Sequence, residues 1–277
     1  MTNWIETYRG AVPPWQCDTT EHFTVAYYAD RLEEAETSLA EAIGLGEAHR
    51  VGGYVRRIDL RYARELRAGA AFHVLSAPLG TDGTSLRLGH RFIDSGSGET
   101  VTWVDEHWEI PVALREQCSG NLAVWEGPIA EQRADPVSDT GFVRTAGGRV
   151  KPADLDATGH FSLSGMVHRF SSANAHAAVA MGMDTAYMQR NRRGFSTFEM
   201  ALKISGVLRL DEPYTVETGI AHLGNSSLRL VHRMTNTRTG TVVARLGQFG
   251  VNLDLDARRP ARWTDEVRDK AVALLVT

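Results

Sequence analysis

Two acid–imidazole pairs carry the chemistry that the chain most plainly offers. Asp18 stands four residues before His22 in CDTTEHF, and Asp156 stands four before His160 in LDATGHF. A carboxylate can take a proton from water or attack an electrophilic carbon itself. An imidazole titrates near neutral pH. Each residue also has a plainer use. An Asp just ahead of a helix is commonly an N-cap, and a neighbouring His can hold the loop by hydrogen bonding. What lifts the pair above that reading is its recurrence at equivalent places.

The recurrence belongs to an internal repeat, which sets the architecture. GAVPPWQCDTTEHF (10–23) and GRVKPADLDATGHF (148–161) share Gly, Val, Pro, Asp, Thr, His and Phe at a shift of 138. SLRLGHRF (85–92) and SLRLVHRM (227–234) agree at six of eight positions at a shift of 142. Two units are therefore expected, residues 1–135 and 136–277. Each pair must sit at the entry to a helix. From His22 to Ile43, Phe23, Ala26, Tyr27, Leu32, Ala35, Leu39 and Ile43 fall near helical spacing, with no Pro or Gly between. The second copy, 161–181, is interrupted by Gly165, Ser171, Ser172 and Asn174, which are weaker helix formers.

After each helix, period-two segments read as strands joined by Gly-rich hairpins. They are 54–62, 71–79, 85–94 and 100–110, then 195–204, 214–223, 227–236 and 241–255. A short helix is expected after Thr264. One helix and a run of antiparallel strands, repeated, make the fold class α+β. The four extra residues of the second unit fall within AYMQRNRRG.

Bulk composition excludes several classes. The 277 residues carry a net charge of −4, so no polybasic surface for nucleic acid is expected. No apolar run approaches a membrane span of about 20 residues. MTNWIETYRG lacks the pattern of a secretory signal. Cys17 and Cys118 are the only cysteines, which suggests a reducing compartment, and the cytoplasm is expected. Cys17 aligns with Leu155 and reads as a small buried hydrophobe. The ten His residues are scattered, with no metal-ligand spacing.

In its Val, Pro, Asp-x-x-Gly-His and aromatic-rich helix, the chain resembles the hotdog-fold acyl-CoA thioesterases of the 4-hydroxybenzoyl-CoA thioesterase type. The duplication makes it a double hotdog. The resemblance implies a thioesterase acting on an acyl-CoA or acyl-carrier-protein thioester. It implies no metal or cofactor, coenzyme A entering only with the substrate. No nucleic acid or membrane partner is implied, and the resemblance allows a homodimer of such chains.

Asp156 becomes the favoured base or nucleophile, the latter by way of an anhydride. The amides from Gly159 through His160 to Phe161 become the oxyanion hole, with His160 orienting the loop. Asp18 and His22 form a second site, degraded if Glu21, which replaces the glycine, crowds its opening. Glu199 is a further acid at a strand position that often faces the acyl pocket. Gln248 is placed alike, and Asn252 could orient water or a carbonyl. Arg57 and Glu106 are the counterparts of Glu199 and Gln248. Tyr27 is an aromatic able to line an acyl pocket. Arg192 and Arg193, with Arg190, Arg229 and Arg233, are candidates for the coenzyme phosphates. Two other readings stay open: an enoyl-CoA hydratase or dehydratase, whose longer Asp–His spacing and Gly-Asp-x-Asn-Pro context are lacking here, and an acyl-thioester-binding protein without turnover.

Overall fold

The computed structural model describes residues 3–18, 20–47, 56–82, 85–111, 114, 122–131 and 133–276. Each half contributes five strands to one antiparallel sheet. In the first half these are β1 (Ile5–Ala11), β2 (Arg56–Tyr62), β3 (Ala71–Asp82), β4 (Ser85–Asp94) and β5 (Thr100–Glu109). In the second they are β6 (Val143–Arg149), β7 (Arg193–Ile204), β8 (Pro213–Leu223), β9 (Ser227–Asn236) and β10 (Thr241–Asp254). A short β11 (Arg259–Pro260) pairs with β10. The spatial order β1-β3-β4-β5-β2-β7-β10-β9-β8-β6 reads as one half followed by its mirror in sequence order. The seam is the antiparallel pairing of β2 with β7, where Asp59 faces Ala201. The two residues are themselves related by the shift of 142. This is a double hotdog.

The sheet wraps α1 (Val25–Ala42) and α2 (Leu163–Ala180), which pack on each other. Alternation along the strands sends one set of side chains to the helices and the other outward. Ile58, Leu60, Met200 and Leu202 face inward and join one core with Phe23, Leu32, Phe72, Phe92, Phe161 and Phe170. The core crosses the seam, so neither helix is buried by its own half alone. Each fully buried Phe or Leu contributes on the order of 2 kcal/mol. The strands β1 and β6 escape the period-two reading, because IETYRGA and VRTAGGR carry few apolar residues at the sheet's two edges. The extra segment of the second half forms α3 (Thr185–Asn191), and the chain closes with α4 (Asp265–Val272), capped by Thr264 as expected. Residues 54 and 55 of the expected first strand, and Cys118, lie outside the described residues.

The connector between halves runs over the outer face of the sheet, opposite the helices. It is tied there by Ala123 N to Pro78 O (2.9 Å), by Trp125 against Trp103, and by an ion pair from Arg133 to Glu199. Arg233 completes the strap by pairing with Asp139 and lying over Phe142. Among the described residues no helix is long and apolar enough to cross a membrane.

Candidate active site

The two acid–imidazole loops have the same wiring. Asp18 Oδ1 accepts from Thr20 N (2.8 Å), Thr20 Oγ1 (2.6 Å) and His22 N (3.2 Å). Asp156 Oδ1 accepts from Thr158 N (2.8 Å), Thr158 Oγ1 (2.6 Å) and His160 N (3.1 Å). The threonine hydroxyl also meets the imidazole Nδ1, at 3.0 Å in the first loop and 2.7 Å in the second. Both carboxylates are exposed, and among the described residues no donor reaches either Oδ2. Oδ1 thus holds the loop while Oδ2 remains for chemistry. Structural use of this Asp therefore engages one oxygen and leaves the other exposed.

The residue before each His has positive φ, 78° at Gly159 and 66° at Glu21. Glu21 keeps the loop conformation at a cost of about 1 kcal/mol. A side chain there has room, because a Cβ on Gly159 would meet nothing within 4 Å, and Glu21 itself points to solvent. The expectation that Glu21 crowds the opening is therefore not met.

The helices begin later than the spacing suggested. Thr24 and Ser162 are the N-caps, so His160 and Phe161 still belong to the loop. Their amides are spent: Gly159 N donates to Asp156 O, His160 N to Asp156 Oδ1 and Phe161 N to Leu208 O. The terminal amides that remain are those of the first turns, as helix geometry requires. At α2, Ser162 Oγ accepts from Gly165 N (2.9 Å), and Glu33 Oε1, reaching across from α1, accepts from Leu163 N (2.7 Å). Burial pushes the Glu33 acid up, opposed by the Ser164 hydroxyl, Arg56 and the amides of Leu163 and Ser164. At α1, Ser171 stands at the place equivalent to Glu33, and no acceptor reaches Val25 N or Ala26 N among the described residues. The Thr24 hydroxyl beside them is buried without a partner among the described residues.

The second half also walls the first loop. Thr20 Cγ2 fills the space over Gly194, where a Cβ would lie 2.7 Å away. His22 is buried, and its Nε2 lies 2.7 Å from Glu65 Oε2. Arg258 Nη2, from beyond β10, stands 3.2 Å from His22 Nε2 and 3.5 Å from Glu65 Oε2. His160 has no carboxylate beside it among the described residues, Val207 standing where the repeat puts Glu65.

The remaining candidates are dispersed. Glu199 lies on the outer face, ion-paired to Arg61 and Arg133, so it does not face the interior shared with the helices. Gln248 does face inward, accepting from Asn174 Nδ2 (2.9 Å) and donating to Thr197 Oγ1. Its counterpart Glu106 sits in a buried charged cluster with Arg56 and Glu36. Burial works to raise Glu106, but Arg56, with His90, pulls it down to about 2, while burial holds Glu36 well above the carboxylate range. Asn252 donates its amide to the carbonyls of Ala261 and Arg262 (3.1 Å each), which ties down the segment after β11. Arg192 pairs with Asp256 (3.1 Å) and Arg193 with Asp254 (2.7 Å), so neither is a free cation. Tyr27 sets its ring edge-on to His168, which in turn faces Asp30, its own equivalent in the repeat. Cys17 is half-buried on the core, and burial raises its thiol.

Sequence reasoning missed Thr20, Thr158, Glu33, Glu65 and Arg258. The threonines were legible as Asp-x-Thr-x-His in both copies. The others join the site only through contacts distant in sequence, 130 residues in the case of Glu33 and Leu163.

A family model described as the thioesterase-like superfamily matches residues 12–108 and 150–271, and the chain belongs to that superfamily. Solved structures share its fold at low identity. A Lactobacillus plantarum protein assigned as an oleoyl thioesterase is 12% identical with a TM-score of 0.66, over 91% of this chain and 99% of that one. An acyl-ACP thioesterase from Bacteroides thetaiotaomicron is 12% identical with a TM-score of 0.64, over 88% and 96%. The 12:0-ACP thioesterase of Umbellularia californica is 14% identical with a TM-score of 0.61, over 88% and 92%. No curated protein matches the chain by sequence.

Proposed function

We propose that the protein hydrolyses an acyl thioester, carried on coenzyme A or on an acyl carrier protein, and that the first loop does most of the work. One observation carries this reading: the Asp18 loop leads into a helix whose first amides have no acceptor among the described residues, whereas the equivalent end of α2 is filled by Glu33. On this proposal Asp18, rather than Asp156 as the resemblance implied, is the working carboxylate.

In this mechanism the thioester oxygen lies against the amides of Val25 and Ala26, where the positive end of α1 stabilises charge as it develops. Asp18, held through Oδ1, takes a proton from water with Oδ2 as that water attacks the carbonyl carbon. The tetrahedral intermediate collapses with release of the thiolate, which takes up a proton to leave as the thiol. His22, fixed between Thr20 and Glu65, orients the loop from behind.

The test is thiol release from a panel of acyl-CoA and acyl-carrier-protein substrates of short, long, aryl and polar acyl groups. Turnover by the wild type, lost in D18N and kept in D156N, supports the reading. A greater loss in D156N returns the work to the second loop, and no thiol release from any substrate leaves a binding protein.

A further inference from the structure

The outer face of the sheet holds a cleft of about 420 Å3, roofed by the strap residues Pro128, Ile129, Ala130, Glu131, Arg133 and Asp135. It lies over the seam, and the repeat allows its two sides to be compared position by position. At a shift of 142, Asp59 corresponds to Ala201, Asp105 to Gly247, and Arg87 to Arg229.

In the first half the arginine is answered. Arg87 donates through Nε to Asp105 Oδ1 (2.9 Å) and through Nη2 to Asp105 Oδ2 (2.8 Å), a bidentate pair. In the second half the same two nitrogens lie over Gly247. A Cβ placed there would stand 3.3 Å from Arg229 Nη2 and 3.5 Å from Nε, but no side chain follows it. Among the described residues Arg229 has one polar contact, from Nη1 to the carbonyl of Ala134 (3.3 Å). Burial and the nearby Arg133 weaken its hold on its proton, and Asp135, Glu131 and Glu199 oppose them from a distance without forming an ion pair with it.

The surroundings differ as well. Asp59 and its partner Arg57 in the first half are replaced by Ala201 and by Glu199, which is ion-paired to Arg61 and Arg133. Lys203 and Arg245 lie directly opposite each other across β7 and β10, and neither has an acid partner among the described residues. Like charges so placed repel. The second half has thus lost the acids at these two positions while keeping the arginine at 229, with Lys203 and Arg245 close by in the cleft, and the small residues leave an open floor where the acids would have been.

We propose that this cleft binds a small ligand bearing a carboxylate or phosphate. Its oxyanion takes the place of the missing Asp, held by the fork of Arg229 above Gly247. Its apolar part lies on Ala201 and beside Phe249, under the strap. The site lies across the sheet from the helices, and the proposal stands whether or not the loops hydrolyse thioesters.

Calorimetric titration of the full chain with benzoate, inorganic phosphate and phenyl phosphate tests it. Saturable binding of at least one probe by the wild type is expected, weakened at least tenfold in R229M. It should be abolished in G247D, where the restored acid occupies the arginine from within and raises Tm. Preference for benzoate or for the phosphates names the ligand's acid group. Thiol release, where present, stays unchanged in G247D. Absence of saturable binding by the wild type overturns the proposal, as does equal binding by wild type and G247D. Should R229M fail to fold, G247D decides the matter alone.

Discussion

The two halves agree in backbone and differ in what reaches each of them from outside. Both Asp loops repeat the same set of hydrogen bonds to within 0.1 Å for the contacts to Oδ1, and both use a positive-φ residue before His. Yet α1 keeps open amides while α2 has them filled by Glu33, and His22 has Glu65 where His160 has none. The inner face differs in kind, with Glu36, Arg56 and Glu106 in the first half set against Asn174, Thr197 and Gln248 in the second. In a symmetric dimer, any contact from one subunit must be made in return by the other. Fusion removes that obligation. Glu33 can cap α2 without Ser171 having to cap α1, so one site can be equipped at the other's expense.

The sharpest way to break this comparison is to substitute the two acids separately. D18N is expected to lower kcat/KM about a thousandfold, the scale of lost base catalysis, with D156N within about threefold of wild type. Equal losses would mean that both loops work.

The buried clusters come next. R56M leaves Glu36 and Glu106 without their cation, a change that typically costs about 3 to 5 kcal/mol. Q248A in the neutral cluster should cost about 1 to 2 kcal/mol, the price of an unsatisfied amide. Urea unfolding of both variants measures the contrast, and a similar loss in each would show that the charged cluster is not what sets the halves apart.

A third test uses pH. Burial lowers His232 from 6.5 to about 3, so the folded protein holds it neutral while the unfolded chain protonates it. The unfolded state binds more protons below pH 6.5, so this contribution to stability is whole above 6.5 and is lost as pH falls toward 3. Between pH 7 and 5 the loss is about 2 kcal/mol. H232L should flatten that limb while costing about 1 kcal/mol at pH 7 for the bond to Thr218. An unchanged acid limb would assign the loss to other groups.

The smallest effect concerns Glu33. In the D18N background, E33S makes α1 resemble α2 at that position and frees Leu163 N. Thiol release about tenfold above D18N, and dependent on Asp156, is expected. No recovery would mean that the missing partner of His160 limits the second loop more than its occupied amides.

Much of this was legible beforehand, for identifiable reasons. The helices announced themselves by spacing, and the central strands by alternation between Gly-rich turns. The loop motif was visible because a repeated Asp and His at one spacing is rare by accident. Edge strands β1 and β6 were not legible, since a strand paired on one side needs little apolar content. Glu199 was assigned to the pocket by resemblance alone, whereas simple alternation with Met200 and Leu202, which face the core, places it on the outer face. The late start of both helices was missed because His160 and Phe161 make bridge contacts with Arg209 and Leu155 that no local pattern shows.

The amino-acid order by itself determined the duplication, the α+β class, the two helices and the acid that precedes each of them. These depend on neighbours within a few residues, where spacing and side-chain type act directly. Only the tertiary structure decided which helix end is open, which imidazole has a carboxylate, and which arginine lacks one. Those choices are made by residues that meet across the seam or under the strap, and a contact between distant segments leaves no periodicity to read.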